Sequence, residues 1–314
     1  MKSKISILTL LVFAFSISAY AGVPVGALSQ STPADSIVAK QNFWTIGLEA
    51  ANNSSFYGRN AAVKYPYAAT TLTYSYHNGF WASATSYQLF NTEDYVDETD
   101  VSVGYSFAIG KRISANLSYS HFFFSENAPM VKSVTENAVS AYAALDWNIL
   151  YSALTTSYFF GNSNDIFLVL ENSRYIGLNP LWGGKNPVGL DPKIGVTAGT
   201  QEFSQTYTVE RKKELQDNLG GGGLGGGLGG IGGGILNPGK GNDSGNNTET
   251  TTTTTTETKH SFNVLNYDLT IPLVIMLGNF EIEPSYRYSI PVNKLEGDES
   301  EAQSFYTIKA NFTF

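Results

Sequence analysis

The amino-acid sequence predicts a closed, antiparallel up-and-down transmembrane β-barrel of about twelve strands, and three observations predict it. Apolar residues recur at every second position over long stretches: near the end, Tyr306, Ile308, Ala310, Phe312 and Phe314 alternate with Thr307, Lys309, Asn311 and Thr313. Period two is the strand signal, and an aromatic-apolar face backed by a polar, charged one suits a wall between lipid and lumen. The 314 residues include 19 Tyr, 19 Phe and 4 Trp, yet only 15% are charged, against about 25% for a soluble domain. No apolar run after residue 21 approaches the ~20 residues a spanning helix needs, so strands must do any crossing.

Residues 1–21 read as an export signal. Lys2 and Lys4 precede an apolar run from Ile5 to Ile17, and Ala19-Tyr20-Ala21 gives a small-x-small cleavage site before Gly22. Residues 22–42 then form an N-terminal periplasmic segment. A secreted soluble β-protein is the competing reading of such a leader. With no Cys in the chain, disulfides, thiolate chemistry and lipid attachment through a cysteine are excluded. The formal net charge of -8 becomes -10 once Lys2 and Lys4 leave with the signal. No basic stripe exists to neutralise phosphates, which argues against a nucleic-acid partner.

The barrel itself is expected over 43–314. Its strands fall at 43–52, 67–77, 80–90, 99–109, 112–124, 136–147, 149–160, 165–175, 193–203, 262–275, 279–290 and 303–314. Most match the ~9–11 residues of a tilted membrane strand. Val101, Val103, Tyr105, Phe107 and Ile109 oppose Ser102, Gly104, Ser106 and Ala108. Leu117 and Tyr119 oppose Ser114, Asn116 and Ser118, while Leu265, Leu269, Ile271 and Leu273 oppose Asn266, Asp268 and Thr270. Parity supports the count. Short turns at Asn78-Gly79, Gly110-Lys111, Trp147-Asn148 and Gly278-Asn279 follow even-numbered strands, so with both termini periplasmic they share the periplasmic side. Asn-Gly is the best short hairpin signal, because both turn positions tolerate positive φ. The connections at 53–66, 91–98, 125–135 and 291–302 lie on the other side and are longer. Two joints fit this scheme badly: 161–164 is short for an outer loop, and 176–192 is long for an inner turn. Aromatic clusters at strand ends (Phe43-Trp44, Phe80-Trp81, Phe122-Phe123-Phe124, Trp147, Tyr158-Phe159-Phe160) read as interfacial girdles.

Between the ninth and tenth expected strands lies a low-complexity insert at 210–260, with a Gly-rich run over Gly220–Gly234 and unbroken Thr over Thr250–Thr256. Such sequence has too much backbone entropy and too little apolar area to fold alone, and reads as an extracellular loop. Gly234 to Gly241 matches phosphate-loop spacing but lacks the closing Ser/Thr that binds Mg²⁺. Catalytic signals are missing as well. Two residues after His77, His121 and His260 stand Gly79, Phe123 and Phe262, so no His-x-Ser occurs. We therefore expect no enzyme, no cofactor and no metal centre, and read His77 as a solvated lumen residue.

Charges on the inward faces are the candidate site. Glu49, Asp268, Glu281, Glu283, Arg287 and Lys309 fall on the first strand and the last three, which closure makes into one continuous wall. Charges shielded from lipid persist if paired or hydrated. They form either a structural salt-bridge network or a transverse field along an aqueous pore whose acidic excess favours cations. Glu93, Asp94, Asp97, Glu98 and Asp100, with Glu296, Asp298, Glu299 and Glu301, read as solvated loop charge.

The terminal Phe314, with Tyr306, Ile308 and Phe312 on its face, resembles the C-terminal membrane-insertion signal of Gram-negative outer-membrane barrels. That resemblance implies recognition by the barrel assembly machinery, and outer-membrane lipid and lipopolysaccharide as surroundings. Residues about 43–165 resemble TorF-type putative porins and related Bacteroidota barrels. The matches are Phe56-Tyr57-Gly58-Arg59, Tyr76-His77-Asn78-Gly79-Phe80-Trp81-Ala82, Glu98-Thr99-Asp100 with Gly104-Tyr105, and Leu117-Ser118-Tyr119 with Phe122-Phe123-Phe124. Ile271-Pro272 through Glu283-Pro284-Ser285-Tyr286 to Ile290-Pro291-Val292 resembles the penultimate hairpin of such proteins. The resemblance implies an outer-membrane, channel-like barrel passing small solutes or ions through a narrow polar lumen. The alternative is a non-conducting surface protein acting through its loops.

Overall fold

The computed structural model describes residues 41–60, 63–90, 92–125, 135–161, 164–181, 186–202, 261–295 and 298–314. The expected leader, nearly all of 22–42, the 210–260 insert, the phosphate-loop-like segment, His260 and Glu296 lie outside them. The strands are β1 (Phe43–Ala51), β2 (Tyr67–Ser75), β3 (Phe80–Leu89), β4 (Glu98–Ile109), β5 (Ile113–Phe124), β6 (Thr135–Asp146) and β7 (Tyr151–Gly161). They continue as β8 (Asp165–Ser173), β9 (Ile176–Leu181), β10 (Asn186–Leu190), β11 (Lys193–Gly199), β12 (Asn263–Leu277), β13 (Phe280–Pro291) and β14 (Gln303–Thr313).

Every pairing is antiparallel. The ladder runs β11-β8-β7-β6-β5-β4-β3-β2-β1-β14-β13-β12, and β12 pairs back onto β11, so twelve strands close into a barrel. Closure leaves no unpaired edge on those strands, which is what a sheet in hydrocarbon requires. Each of the twelve predicted strands is one of these staves. The overlong inner connection has a physical explanation: it folds as the hairpin β9–β10. The 15-residue β12 is long enough to serve two partners, its first part pairing β11 and its second pairing β10 through Leu190↔Leu273 and Val188↔Ile275.

The polarity of the sheet is inverted relative to a soluble protein. Leu48, Leu72, Val103, Leu117, Val139, Leu154, Leu170, Leu269 and Ile308 are exposed on the outside. Thr45, Thr73, Ser83, Thr85, Ser102, Asn116, Thr155, Ser157 and Thr270 are buried on the inside. Water offers no reason to expose the first group and bury the second; lipid outside and a polar lumen inside does.

Four expectations change. Leu265, predicted lipid-facing, is 0% exposed inside the barrel. The register shifts between Thr197 and Ala198, which pair Asn266 and Val264, so Leu265 is a bulge residue turned inward. The Asn78-Gly79 connection is longer than a two-residue turn: Tyr76 N–H donates to Phe80 O at 2.7 Å, and of its residues only Gly79 has positive φ. The girdle reading holds for Trp44, Phe80, Phe123, Trp147 and Tyr158, which are exposed, but Trp81, Phe122 and Phe159 point inward and are buried. Trp81 lies flat over Gly104, its cross-strand partner, where a Cβ would collide with the indole. Finally, Asp97, Glu98 and Asp100 are buried rather than solvated. Asp97 Oδ2 accepts the Leu89 N–H at 2.7 Å and so shapes the β3–β4 loop.

Candidate functional site

The lumen has two unlike walls. Over β2–β7 it is lined by small hydroxyl and amide side chains that bond across the ladder. Thr71–Thr85 (3.0 Å), Ser102–Ser120 (2.7 Å) and Ser140–Ser157 (2.8 Å) are such pairs, and Asn116 Nδ2 donates to Ser106 Oγ at 3.1 Å. Ser102, Ser114, Asn116 and Ser118 sit on this wall as expected. Tyr142 and Tyr151 join phenol to phenol at 2.9 Å near the short-turn end.

The other wall carries charge. Antiparallel pairing brings the six predicted residues together as the alternation requires. Glu49, Lys309 and Glu283 are successive register partners across β1, β14 and β13. Lys309 Nζ lies 3.3 Å from Glu49 Oε2, whose other oxygen accepts the Tyr67 hydroxyl at 2.5 Å. Glu281 accepts from Asn311 Nδ2 at 3.2 Å. Arg287 pairs with Asp268 at 3.4 Å, donates to Ser55 Oγ at 2.7 Å, and stands 4.1 Å above the Phe305 ring. The wall extends further than the sequence reading carried it. Glu171 on β8 and Asp268 on β12 flank Gly195 of β11, and Lys193 pairs with Asp191 at 3.6 Å. Lys193 and Glu171 were legible as inward positions once β8 and β11 were placed, but those two strands were framed by the two ill-fitting joints. Outside the lumen, His77 is exposed in the β2–β3 turn beside Asn42 rather than lumenal, and His121 bonds Asn137 at 2.8 Å. Among the described residues, no group of three or more acidic or His side chains is arranged to hold a metal.

Sequence reasoning missed the third component. The β1–β2 loop does not project outward; its tip folds into the lumen. Phe56-Tyr57-Gly58-Arg59 forms a tight hairpin closed by Phe56 N→Arg59 O (2.7 Å) and Arg59 N→Phe56 O (2.9 Å). Tyr57 and Gly58 have φ of 47° and 85°, the two positive values of a type I′ turn. Gly58 is obligatory for a second reason, because a Cβ there would run into the Asn266 side chain. Tyr57 stacks on Phe167 (3.8 Å, 2°), Phe56 meets Phe159 edge-on at 5.2 Å, and Phe122, Val169 and Leu265 complete the cluster. Burying each large ring contributes about 1.5–3 kcal/mol, enough to offset the ~1–3 kcal/mol of a non-Gly residue held at positive φ.

Arg59 fixes the tip in place. It is 1% exposed, and besides the shared carbonyl of Asn293 its guanidinium has four partners, three that accept hydrogen bonds and, last, one held as an ion pair. These are Leu265 O (3.0 Å), Gln201 Oε1 (2.8 Å), Val292 O (2.8 Å) and Asp298 Oδ2 (2.8 Å). Burial pulls the Arg59 pKa down, and Asp298 opposes that shift. Asn60 continues the attachment: its N–H donates to Ser300 Oγ at 3.0 Å and its side-chain oxygen accepts the Glu301 N–H at 3.3 Å. Asp298, expected as solvated loop charge, is therefore the ionic partner of a buried arginine. A Phe-Tyr-Gly-Arg sequence in a connection otherwise rich in Asn and Ser was the available signal. At the opposite end of the chain, Tyr306, Ile308 and Phe314 face outward and Phe312 stacks on Phe314 at 5.6 Å.

No family model matches the chain, and no curated protein matches it. Among solved structures it is similar to the KdgM porin, with a TM-score of 0.44 and 10% identity over 86% of this chain and 99% of that one. The NanC porin gives a TM-score of 0.43 and 10% identity, covering 85% and 98%. LpxR from Salmonella typhimurium gives 0.41 and 10%, covering 86% and 100%.

Proposed function

We propose that the chain is an outer-membrane, porin-like barrel that passes small solutes or ions by passive diffusion along a narrow polar lumen. One observation carries the reading: away from the aromatic clusters at its loop end, the inside of the closed ring is lined by polar and charged side chains, while its outside is apolar. A barrel serving as an anchor alone has no need of a charged wall whose desolvation must be offset by pairing. The export signal at 1–21 and the aromatic terminal strand support delivery to the outer membrane, with lipopolysaccharide outside and assembly through β14. The TorF-type likeness belongs to the same proposal, as does the 210–260 insert as an extracellular loop. Passage requires no bond chemistry, in keeping with a sequence that has no recognisable catalytic motif.

Glu49, Asp268, Glu281 and Glu283 outnumber Arg287 and Lys309, so the lumen is expected to favour cations. The test is conductance of the refolded mature chain in planar bilayers. Discrete steps are expected, with a cation preference that falls in Glu281→Gln/Glu283→Gln; a folded barrel without any conductance refutes the reading. A second reading, a non-conducting surface protein acting through its loops, is favoured by the packed aromatic cluster that occupies the lumen at its loop end.

A further inference from the structure

The tip of the β1–β2 loop reaches across the lumen. Counting round the closed ring, β7 lies six strands from β1 in either direction, through β2 or through β14. Phe56, five residues after the end of β1, nevertheless meets Phe159 of β7 at 5.2 Å. A ring of this size, with ~4.8 Å strand spacing and ~40° tilt, is about 24 Å across between backbones. Five extended residues span about 17 Å, and the facing side chains close the rest. A second cluster, Tyr67, Tyr87 and Leu89 with Tyr65, fills the near side of the same end, and Phe124 packs against both clusters. Among the described residues, the tip and the two clusters thus make one continuous contact across the loop end of the lumen.

The tip is nonetheless no part of that wall. Its only ladder is the internal Phe56↔Arg59 bridge, while β1 and β2 pair with each other up to Ala51↔Tyr67 without it. It is held by side chains: the aromatic contacts, the Arg287–Ser55 bond, and above all Arg59 on the β13–β14 connection and Asp298. Withdrawing it would leave every barrel strand paired.

We infer that the Phe56–Arg59 tip is the size-selecting element of the lumen, a stopper latched by Arg59, and that solutes pass only when it is displaced. The inference rests on the pore reading. With the tip seated, its rings narrow the path at the loop end; with it withdrawn, the wall rings Phe122, Phe159 and Phe167 remain there, and beyond them the lumen is bounded by the small hydroxyl side chains of β5–β7 and the charged wall opposite. Which solutes enter is then decided by the tip rather than by the width of the barrel.

The experiment compares single-channel conductance and the entry of a graded series of neutral sugars into vesicles. It uses the full mature chain as wild type, Arg59→Ala, Phe56→Ser, and Asn60→Cys/Ser300→Cys. Folding of each is checked by its heat-modifiable gel mobility. Because the native chain has no Cys, the engineered pair forms the sole disulfide and ties the tip to the β13–β14 loop. Expected are a several-fold rise in conductance and passage of larger sugars for Arg59→Ala and Phe56→Ser. The oxidised double-Cys form should give no more than the lowest wild-type conductance, and reduction should restore wild-type behaviour. If wild type and both unlatched variants conduct alike, the stopper is refuted while the pore stands. If no folded variant conducts, the pore reading falls and the stopper with it. Should Arg59→Ala fail to refold, Phe56→Ser decides, since it keeps the latch residue and removes one of the two tip rings packed against Phe159 of β7.

Discussion

Replacing Arg287 by Met removes the cation from a buried pair while roughly keeping the volume of the side chain. The pair is fully inside the barrel, its side chains 4% and 5% exposed, so solvent screening offers little relief. At 3.4 Å, an effective dielectric near 20 gives a gross attraction of about 5 kcal/mol. Stripping one partner from such a pair typically costs about 3–5 kcal/mol, because the other charge stays buried and uncompensated. The ring contact with Phe305 adds about 0.5–2 kcal/mol. Asp268 keeps its bond from Asn266 Nδ2, which limits the damage, and we expect a net loss of about 4 kcal/mol. The diagnostic is the second mutation. Asp268→Asn in the Arg287→Met background removes the stranded charge and should recover at least half of the loss. Equilibrium guanidinium unfolding in lipid vesicles, followed by tryptophan fluorescence, reads both numbers. A loss below about 1 kcal/mol, or a double variant no better than the single one, would show that water, and not Arg287, satisfies Asp268.

Three further predictions follow from the same geometry. Val103, exposed on the outer face of β4, should cost about 2–4 kcal/mol when changed to Arg. Ser118→Arg, on the lumen face of the neighbouring strand, should cost less than half as much in the same unfolding assay. Phe159 is 0% exposed and touches Phe56, Tyr57, Phe122 and Phe167, so Phe159→Ala should destabilise by about 3–5 kcal/mol, and unchanged unfolding would contradict the packing described. Burial pushes the Tyr57 phenol well above the ordinary tyrosine value of 10.0. Its neutral form is therefore retained when folded, and its contribution is complete below pH 10 and lost as pH rises further. Tyr57→Phe should therefore leave the tyrosinate absorbance of the folded barrel near pH 10 unchanged while removing one titrating tyrosine from the unfolded chain, and it should reduce the alkaline loss of stability.

The staves were readable because a membrane strand advertises itself twice, by period-two alternation and by the asymmetry between short turns and long loops. Six inward charges were readable for the same reason: once Leu48 and Ile308 face lipid, Glu49 and Lys309 must face inward. Reading failed where a residue's partner is remote in sequence. Arg59 looks like one more polar loop residue until Leu265, Val292 and Asp298 surround it, and nothing local announces that. Phe122 and Phe159 carry the same composition signal as the exposed Phe123 and Tyr158 beside them; strand parity separates the pairs, and the clusters were read as blocks. Leu265 shows the limit of parity itself, since a single bulge reverses the face of what precedes it. The β9–β10 hairpin left a mark as a connection too long for its side of the barrel, without revealing its pairing to the far end of β12.

The pairing of the first strand with the last has a consequence for how the ring finds its final alignment. Seen from lipid, β1 and β14 would fit almost as well two positions out of step, since Ile46, Leu48, Ile308 and Phe312 would still meet apolar neighbours. Moving by two keeps every side chain on its proper face, so the greasy exterior cannot reject the error. The interior can. A two-residue slip would set Lys309 opposite Gly47 or Ala51 instead of Glu49 and part the Thr45–Thr313 hydroxyl bond. The seam carries its own proofreading: one ion pair and one hydroxyl pair, hidden from the membrane, distinguish the correct closure from its near-isoenergetic misalignments.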